Sequence, residues 1–143
     1  MDLILVLDTT AFIAKLPLYS PPIGVKQYTT SLVIEEVKDR ESLEALNTIT
    51  ELGRVSVTDP SPSYVERVRE EAKRLKMLRK LSSTDISVVA LALELKERGQ
   101  GGGGEVVLVT DDYAVQALAS HLGLKFQPIR TRGISLQEGK RLA

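Results

Sequence analysis

Leu3-Ile4-Leu5-Val6-Leu7-Asp8, near the start of the chain, is a run of five apolar residues that stops at a carboxylate. An apolar run this short, without polar alternation, is typical of a strand buried on both faces in the middle of a parallel sheet. Such a strand delivers the residue that follows it to the carboxyl edge of the sheet, where open α/β folds bind their ligands. Asp8 is therefore the first candidate for a functional side chain.

A second run of this kind, Val106-Val107-Leu108-Val109, ends in Thr110-Asp111-Asp112. Helical patterns alternate with strand patterns along the chain, which predicts an α/β three-layer sandwich with a central parallel sheet and right-handed crossovers. We expect helices at 11–15, 31–39, 41–52, 62–78 and 113–122, another that opens at 82–85, and strands at 27–29, 54–58 and 124–126. The helix after Asp85 is apolar on all sides and is therefore expected to be buried.

The composition indicates one globular domain, which we place at residues 1–128, followed by a polar C-terminal tail at 129–143. The glycine-rich stretch 99–104 reads as a flexible connector. Nineteen basic and nineteen acidic residues cancel, so a nucleic acid would have to be bound by a local patch. The absence of cysteine excludes disulfides and thiolate metal sites and fits a cytoplasmic protein, and no stretch is long enough to span a membrane.

Three acidic sites are expected to meet. Asp8 and the Asp111-Asp112 pair both follow buried strands, and the carboxyl ends of parallel strands lie at one edge of a sheet. Asp85 lies at a predicted helix start, where the helix dipole favours a carboxylate. Each of these aspartates, considered alone, is better explained as a turn or cap residue, and Asp85 would then form a capping box with Ser82. Considered together, they favour a site.

A fourth acid comes from the pair Glu35 and Glu36 in the predicted helix 31–39. Each residue of an α-helix is rotated by about 100° around the helix axis from the one before it. The mean direction of the apolar side chains of this helix is then roughly 85° from that of Glu36 and roughly 175° from that of Glu35. Glu36 thus lies at the margin of the buried face, from which it can reach into a cleft, and we choose it over Glu35.

Clustered carboxylates suit the hard cations Mg²⁺ and Mn²⁺, whereas zinc prefers histidine or cysteine. The chain has one histidine, His121, near a predicted helix end, and no cysteine, so no zinc is expected. Without a cation the acids should repel one another and have raised pKa values. With one, they can activate water and stabilise the charge that develops on a phosphate, as in phosphodiester hydrolysis.

Four motifs carry a resemblance to a known family. They resemble motifs of PIN-domain ribonucleases, and the resemblance covers residues 2 to about 126. The motifs are Leu-Asp-Thr-Thr-Ala-Phe-Ile at residues 7–13, Val-Ile-Glu-Glu-Val at 33–37, Ser-x-Thr-Asp at 82–85 and Thr-x-Asp at 110–112. The resemblance implies that Asp8, Glu36, Asp85 and Asp112 are catalytic metal-binding acids, with Asp111 as a further ligand. It also implies that Thr9 and Thr110 are supporting hydroxyls.

Within that family, residues 81–86 and 109–116 are most similar to the ribosome-assembly endonucleases called Nin-one-binding proteins. This similarity implies cleavage of precursor small-subunit ribosomal RNA near its 3′ end, in a pre-ribosomal particle. Those enzymes usually carry a cysteine zinc ribbon that this chain lacks, which leaves the substrate open. The alternatives are a VapC-like toxin ribonuclease and a PIN-fold module that binds RNA or an assembly factor without cutting it.

Basic and aromatic side chains are candidates for contact with RNA. A solvated amphipathic face explains the basic residues equally well, because acids are interleaved with them. The tyrosines, Tyr19, Tyr28, Tyr64 and Tyr113, could stack on unpaired bases, but partly buried packing is expected of them. The basic candidates are Lys73, Arg74, Lys76, Arg79, Lys80, Arg130 and Arg132.

Overall fold

The computed structural model describes residues 2–13, 23–99 and 104–129, and these form a five-stranded, entirely parallel sheet flanked by helices. The order of strands across the sheet is β3-β2-β1-β4-β5. The strands are β1 (Leu3–Leu7), β2 (Val25–Thr29), β3 (Ser56–Val57), β4 (Glu105–Val109) and β5 (Lys125–Gln127). The helices are α1 (Thr9–Ile13), α2 (Ser31–Glu36), α3 (Arg40–Glu51), α4 (Pro62–Arg74), α5 (Ser83–Arg98) and α6 (Tyr113–His121), with a 3-10 helix at Leu78–Lys80. The predicted three-layer architecture is confirmed.

The two apolar runs are the two central strands. β1 pairs with β2 on one side and with β4 on the other, in a register that brings Leu7 beside Val109. Four of the five residues in each of β1 and β4 are buried. From β1 the chain moves outward to β2 and β3, then returns through α4 and α5 to the opposite side of β1. The carboxyl ends of β1 and β4 therefore form the topological switch point, where α/β sheets bind ligands.

Helix α5 is the buried helix that its composition predicted. Its side chains from Ile86 to Leu95 are all buried, and it packs against β1, β4 and three other helices. It ends at Gly99, which has the positive φ of 64° that a left-handed cap requires. Because α5 is held on every side, its first turn is fixed relative to the carboxyl edge of the sheet.

Two predicted helix boundaries near this edge were wrong. Helix α1 begins at Thr9 rather than at residue 11, because the Asp8 carbonyl already accepts a hydrogen bond from the Ala11 amide at 3.0 Å. Helix α2 stops at Glu36 rather than at residue 39, because Asp39 caps the next helix and accepts from the Ser42 amide at 2.9 Å.

Two elements before α5 are also shorter than predicted. The strand expected at 54–58 is only Ser56–Val57. Helix α4 stops at Arg74, and its apolar periodicity continues into the 3-10 helix Leu78–Lys80. The break lies at Lys76, whose φ is +59°.

Parts of the predicted connector and tail lie outside the described residues, namely 100–103 and 130–143. Ile129, the last described residue, is buried in the core. In the described part of the chain, no helix has the length and apolar character needed to cross a membrane.

Candidate active site

Asp8 is a buried carboxylate at the switch point. Only 4% of its surface is exposed, and it follows β1 directly. Its Oδ1 accepts a hydrogen bond from the Thr9 amide at 2.7 Å, and its Oδ2 accepts one from Thr110 Oγ1, also at 2.7 Å. Each oxygen therefore has one protein donor and keeps further acceptor capacity.

Thr110 links the carboxyl ends of β1 and β4. Besides donating to Asp8, its Oγ1 accepts a hydrogen bond from the Asp112 amide at 3.1 Å. Its backbone carbonyl accepts from Gln116 Nε2 at 2.9 Å. This fully buried threonine thus fixes the turn that leads from β4 into α6.

Asp85 and Asp112 both lie at helix starts and make cap hydrogen bonds there. Asp85 Oδ2 accepts from the Ser82 amide at 2.8 Å, and Ser82 Oγ accepts from the Asp85 amide at 3.0 Å, which completes a capping box. Asp112 Oδ1 accepts from the Ala114 and Val115 amides at 2.8 and 3.2 Å. The interpretation of Asp85 and Asp112 as cap residues is therefore correct. In each carboxylate, the other oxygen takes no part in these cap contacts.

Glu36 is connected to the site by a contact with a residue of α1. Its Oε1 accepts a hydrogen bond from Thr9 Oγ1 at 2.9 Å, although the two residues are 27 positions apart. Both Glu35 and Glu36 are exposed. The contact with Thr9 places Glu36 beside the residue that follows Asp8.

The electrostatics show that these four acids are neighbours. The pKa of Asp8 is raised from 3.8 to about 6, chiefly by burial and additionally by the charges of Asp85 and Asp112. Burial also raises the pKa of Asp85, and the charges of Asp112 and Glu36 raise it further. The predicted rise is present for both aspartates, but its largest cause is burial rather than mutual repulsion. Asp85 is therefore close enough to Asp8, Glu36 and Asp112 for their charges to interact.

Asp111 is oriented by a different contact. Its Oδ1 accepts a hydrogen bond from the Ile129 amide at 2.6 Å, which ties the end of β4 to the segment after β5. This bond gives Asp111 a structural role in addition to the metal-binding role predicted for it.

The donor set suits a hard cation, because the four gathered side chains offer only carboxylate oxygens. Burial at Asp8 and like charge beside it disfavour the ionised acids, and a cation would reverse both effects. Within residues 2–13, 23–99 and 104–129, however, no three His, Cys, Asp or Glu side chains are already grouped closely enough to hold a metal ion. The cap hydrogen bonds hold Asp85 and Asp112 against their own helices instead. The residues fit Mg²⁺ or Mn²⁺ in chemistry, and metal binding stays a prediction.

Five of the basic candidates lie among the described residues, and all five are exposed. Arg74 forms a bidentate pair with Glu71, at 3.1 and 2.6 Å. Lys73 lies in the last turn of α4 and Lys76 follows the end of that helix. Arg79 and Lys80 belong to the 3-10 helix just before the Ser82 cap. Arg130 and Arg132 lie outside the described residues.

The tyrosines divide into two groups. Tyr64 is buried and Tyr28 packs partly buried against the core, as expected. Tyr113 is 84% exposed, so the expectation of packing was wrong there. Tyr19 lies outside the described residues.

A buried hydroxyl network under the site was not anticipated from the sequence. Thr30, the N-cap of α2, lies 2.9 Å from Ser87 Oγ, and Ser87 Oγ donates to the Thr84 carbonyl at 2.7 Å. Thr29 Oγ1 donates to the Leu7 carbonyl at 2.8 Å. The Thr30–Ser87 contact joins the helix of Glu36 to the helix of Asp85, and the Thr29 bond joins β2 to β1. The one sequence signal was the presence of hydroxyl residues directly after a strand and at helix starts, and such residues are usually caps.

Comparisons with known proteins identify the family. A family model described as the PIN domain of ribonuclease matches residues 5–95. Ribonuclease VapC3 of Aeropyrum pernix is 43% identical over 129 residues, which cover 90% of this chain and 88% of that protein. Endoribonuclease Nob1 of Pyrococcus abyssi is 38% identical over 134 residues, covering 94% of this chain and 73% of that protein. The 20S-pre-rRNA D-site endonuclease NOB1 of Saccharomyces cerevisiae is 29% identical over 98 residues, covering 68% of this chain and 21% of that protein.

The family match covers more than half of the chain, and the archaeal relatives align over most of their own length. The four gathered acids lie after β1, at the end of α2 and at the starts of α5 and α6. The chain therefore belongs to the PIN-domain family of ribonucleases and is an endoribonuclease.

Proposed function

We propose that this endoribonuclease is metal-dependent and cleaves precursor small-subunit ribosomal RNA near its 3′ end. The observation that carries the proposal is the gathering of Asp8, Glu36, Asp85 and Asp112 at the switch point of a chain that is similar to Nob1 endoribonucleases over most of its length. The name of the yeast relative, which specifies a pre-ribosomal RNA, supports the choice of substrate.

The four gathered acids would hold the cation, with Asp111 as a predicted additional ligand. A bound Mg²⁺ or Mn²⁺ supplies Lewis-acid stabilisation of phosphate charge and lowers the pKa of water. Hydrogen bonds orient two of the proposed ligands: Thr110 and the Thr9 amide bind the carboxylate of Asp8, and Thr9 Oγ1 donates to Glu36. At neutral pH a carboxyl whose pKa is about 6 is mostly ionised, so Asp8 is in the form that binds a cation.

Contact with RNA would come from local cations, because the chain has no net charge. Arg79 and Lys80 are exposed and lie in the 3-10 helix just before the helix that carries Asp85. Lys73 and Lys76 extend this basic surface along the chain. Phosphates held there would lead the RNA backbone toward the acids.

The test is to incubate the protein with a small-subunit precursor RNA and Mn²⁺ and to map the new ends. One discrete cut near the mature 3′ terminus is expected. The Asp8→Asn variant should lose the cut, whereas the Glu35→Gln variant, which changes an exposed acid on the same helix as Glu36, should keep it. Cleavage by Asp8→Asn at the wild-type rate would remove Asp8 from the mechanism.

A VapC-like toxin is the second candidate, and the similarity to VapC3 over 88% of that protein favours it. It predicts cleavage of transfer RNA or mature ribosomal RNA, growth arrest on expression and co-purification of a small antitoxin. Cuts in transfer RNA with none in the precursor would select this candidate. Calorimetric titration with Mn²⁺ separates both nucleases from a non-cleaving module, which need not bind the ion.

A further inference from the structure

We infer that Tyr113 is a stacking surface for an unpaired RNA base next to the phosphate that is cut, so that the enzyme selects single-stranded RNA. This inference rests on the proposed nuclease site. It begins from an unusual exposure: Tyr113 is 84% exposed although it belongs to a helix whose other large apolar side chains are inside. Among the described residues the exposed large apolar side chains are Ile23, Leu52, Val57 and Tyr113, and Tyr113 is the one aromatic ring in that set.

The exposure of Tyr113 alone would be weak support for this inference, because single exposed apolar residues are common on proteins. The position of Tyr113 is what matters. It follows Asp112 directly, at the first residue of α6, and α6 begins where β4 reaches the carboxyl edge of the sheet. RNA with a phosphate at the acids would therefore lie close to residue 113.

The backbone that carries the ring is fixed on both sides. Before it, the Asp112 amide donates to Thr110 Oγ1, and after it the Ala114 and Val115 amides donate to Asp112 Oδ1. Gln116 Nε2 adds a bond to the Thr110 carbonyl. A rigidly mounted ring loses little backbone freedom when a base stacks on it, which favours binding.

The ring of Tyr113 contributes little to the stability of the fold. Helix α6 is held in the core by Val115, Leu118 and Ala119, all buried, whereas the ring of Tyr113 projects into solvent. Removing it should leave the stability of the protein nearly unchanged. Its exposed aromatic face is available for an interaction that RNA-binding proteins use widely, the stacking of an unpaired base on an aromatic side chain.

Selectivity for single strands follows from the same chemistry. Bases inside a duplex are already stacked on their neighbours and present only their edges, so a protein ring cannot reach their faces. Loss of one stacking contact typically weakens single-strand binding by about fivefold to 100-fold. Loss of the ring should therefore raise KM on unpaired RNA and leave binding to duplex RNA unaffected.

Fluorescence tests the contact without relying on cleavage. The chain contains no tryptophan, so Tyr113→Trp introduces a single reporter. With a chelator present to prevent cutting, a single-stranded oligoribonucleotide should quench this tryptophan strongly, and the same sequence in a duplex should not. The matched control is Leu52→Trp, an exposed position that follows α3 at the amino edge of the sheet, away from the acids. Equal quenching of the two reporters, or none at position 113, would overturn the inference.

Kinetics provide the second measurement. With Mn²⁺ and unpaired RNA, Tyr113→Ala should raise KM by about tenfold with a smaller change in kcat, and Tyr113→Phe should restore KM because it keeps the ring. An unchanged KM in Tyr113→Ala that melts like the wild type would refute the stacking role. If the wild type cuts no precursor RNA but the tryptophan at 113 is quenched by single strands, the stacking surface stands and the proposed substrate is wrong.

Discussion

Replacing Asp8 by asparagine should stabilise the protein at neutral pH, and the gain should disappear in acid. Asp8 is almost completely buried, and its pKa is raised from 3.8 to about 6 by burial first and by the charges of Asp85 and Asp112 to a smaller extent. The folded state therefore holds a proton on this carboxyl more tightly than the unfolded state does. Ionising the group then costs free energy of folding.

The difference of about two pKa units corresponds to roughly 3 kcal/mol at pH values above 6. Below about pH 4 the group is protonated in both states and the cost vanishes, so the stability of the wild type should fall as the pH rises from about 4 to 6. Asparagine carries no charge but has one acceptor oxygen instead of two. It therefore loses the bond from Thr9 or from Thr110, worth about 1 kcal/mol. The net gain is about 2 kcal/mol at neutral pH.

Urea denaturation of the wild type and of Asp8→Asn, at about pH 4, 5, 6 and 7.5, measures this difference. A chelator must be present, because a bound cation would stabilise the wild type by mass action. At about pH 7.5 the variant should also melt about 5 °C higher. Glu35→Gln, which removes an exposed charge from α2, is the matched control and should change the stability at about pH 7.5 by less than about 0.5 kcal/mol. If Asp8→Asn is equally destabilised at every pH, the buried carboxylate carries no electrostatic cost and the reasoning fails.

Three further predictions concern catalysis and RNA binding. Glu36→Gln should lower the cleavage rate by about 100-fold or more in a Mn²⁺ assay, whereas Glu35→Gln should stay within about twofold, and similar losses would remove the distinction between them. Arg79→Ala combined with Lys80→Ala should weaken RNA binding. Fluorescence anisotropy should also show that the slope of log affinity against log salt concentration is smaller in magnitude by about 1.4, whereas an unchanged slope would exclude phosphate contacts at these two residues. Asp112→Asn should keep the cap of α6 and lose cleavage, whereas Asp112→Ala should lose cleavage and also about 1 kcal/mol of stability in urea denaturation; equal stabilities would contradict the cap.

The central sheet and the buried helix could be predicted because their signals are local. The apolar runs before Asp8 and Thr110 became β1 and β4 with nearly the expected bounds, and α5 is buried all round, as its composition indicated. In each case the residues of the element itself indicate that it is buried. No knowledge of the neighbouring elements was needed.

The end of α4 could not be predicted, because nothing in its sequence marks it. Apolar residues continue at helical spacing through Leu75 and Leu78, yet the chain turns at Lys76. The Met77 amide donates to the Ala72 carbonyl at 2.9 Å, which is the long hydrogen bond of a Schellman motif. Such a motif normally has glycine at the residue with positive φ, and here that residue is Lys76. A lysine gives no stop signal.

The assignment of the site residues stays a prediction, and the contacts of these residues could not be predicted. Helix geometry distinguished Glu36 from Glu35, but the partner of Glu36 is Thr9, which the chain brings near only after α1 and α2 have packed together. Thr110 was expected as a supporting hydroxyl, and its bond to Asp8 spans 102 residues. Such pairings depend on the order of the strands, which no local pattern contains.

The arrangement of these acids is hard to explain by stability alone. Asp85 and Asp112 make cap hydrogen bonds, so each also stabilises the fold, but Asp8 lowers stability by being charged while buried. A leucine or an asparagine after β1 would avoid that cost. Natural sequences break the rules of folding mainly where function requires it, and the ionised group here lies at the sheet's switch point beside three other acids. A cation bound among them would favour the ionised form of Asp8 and would offset this cost.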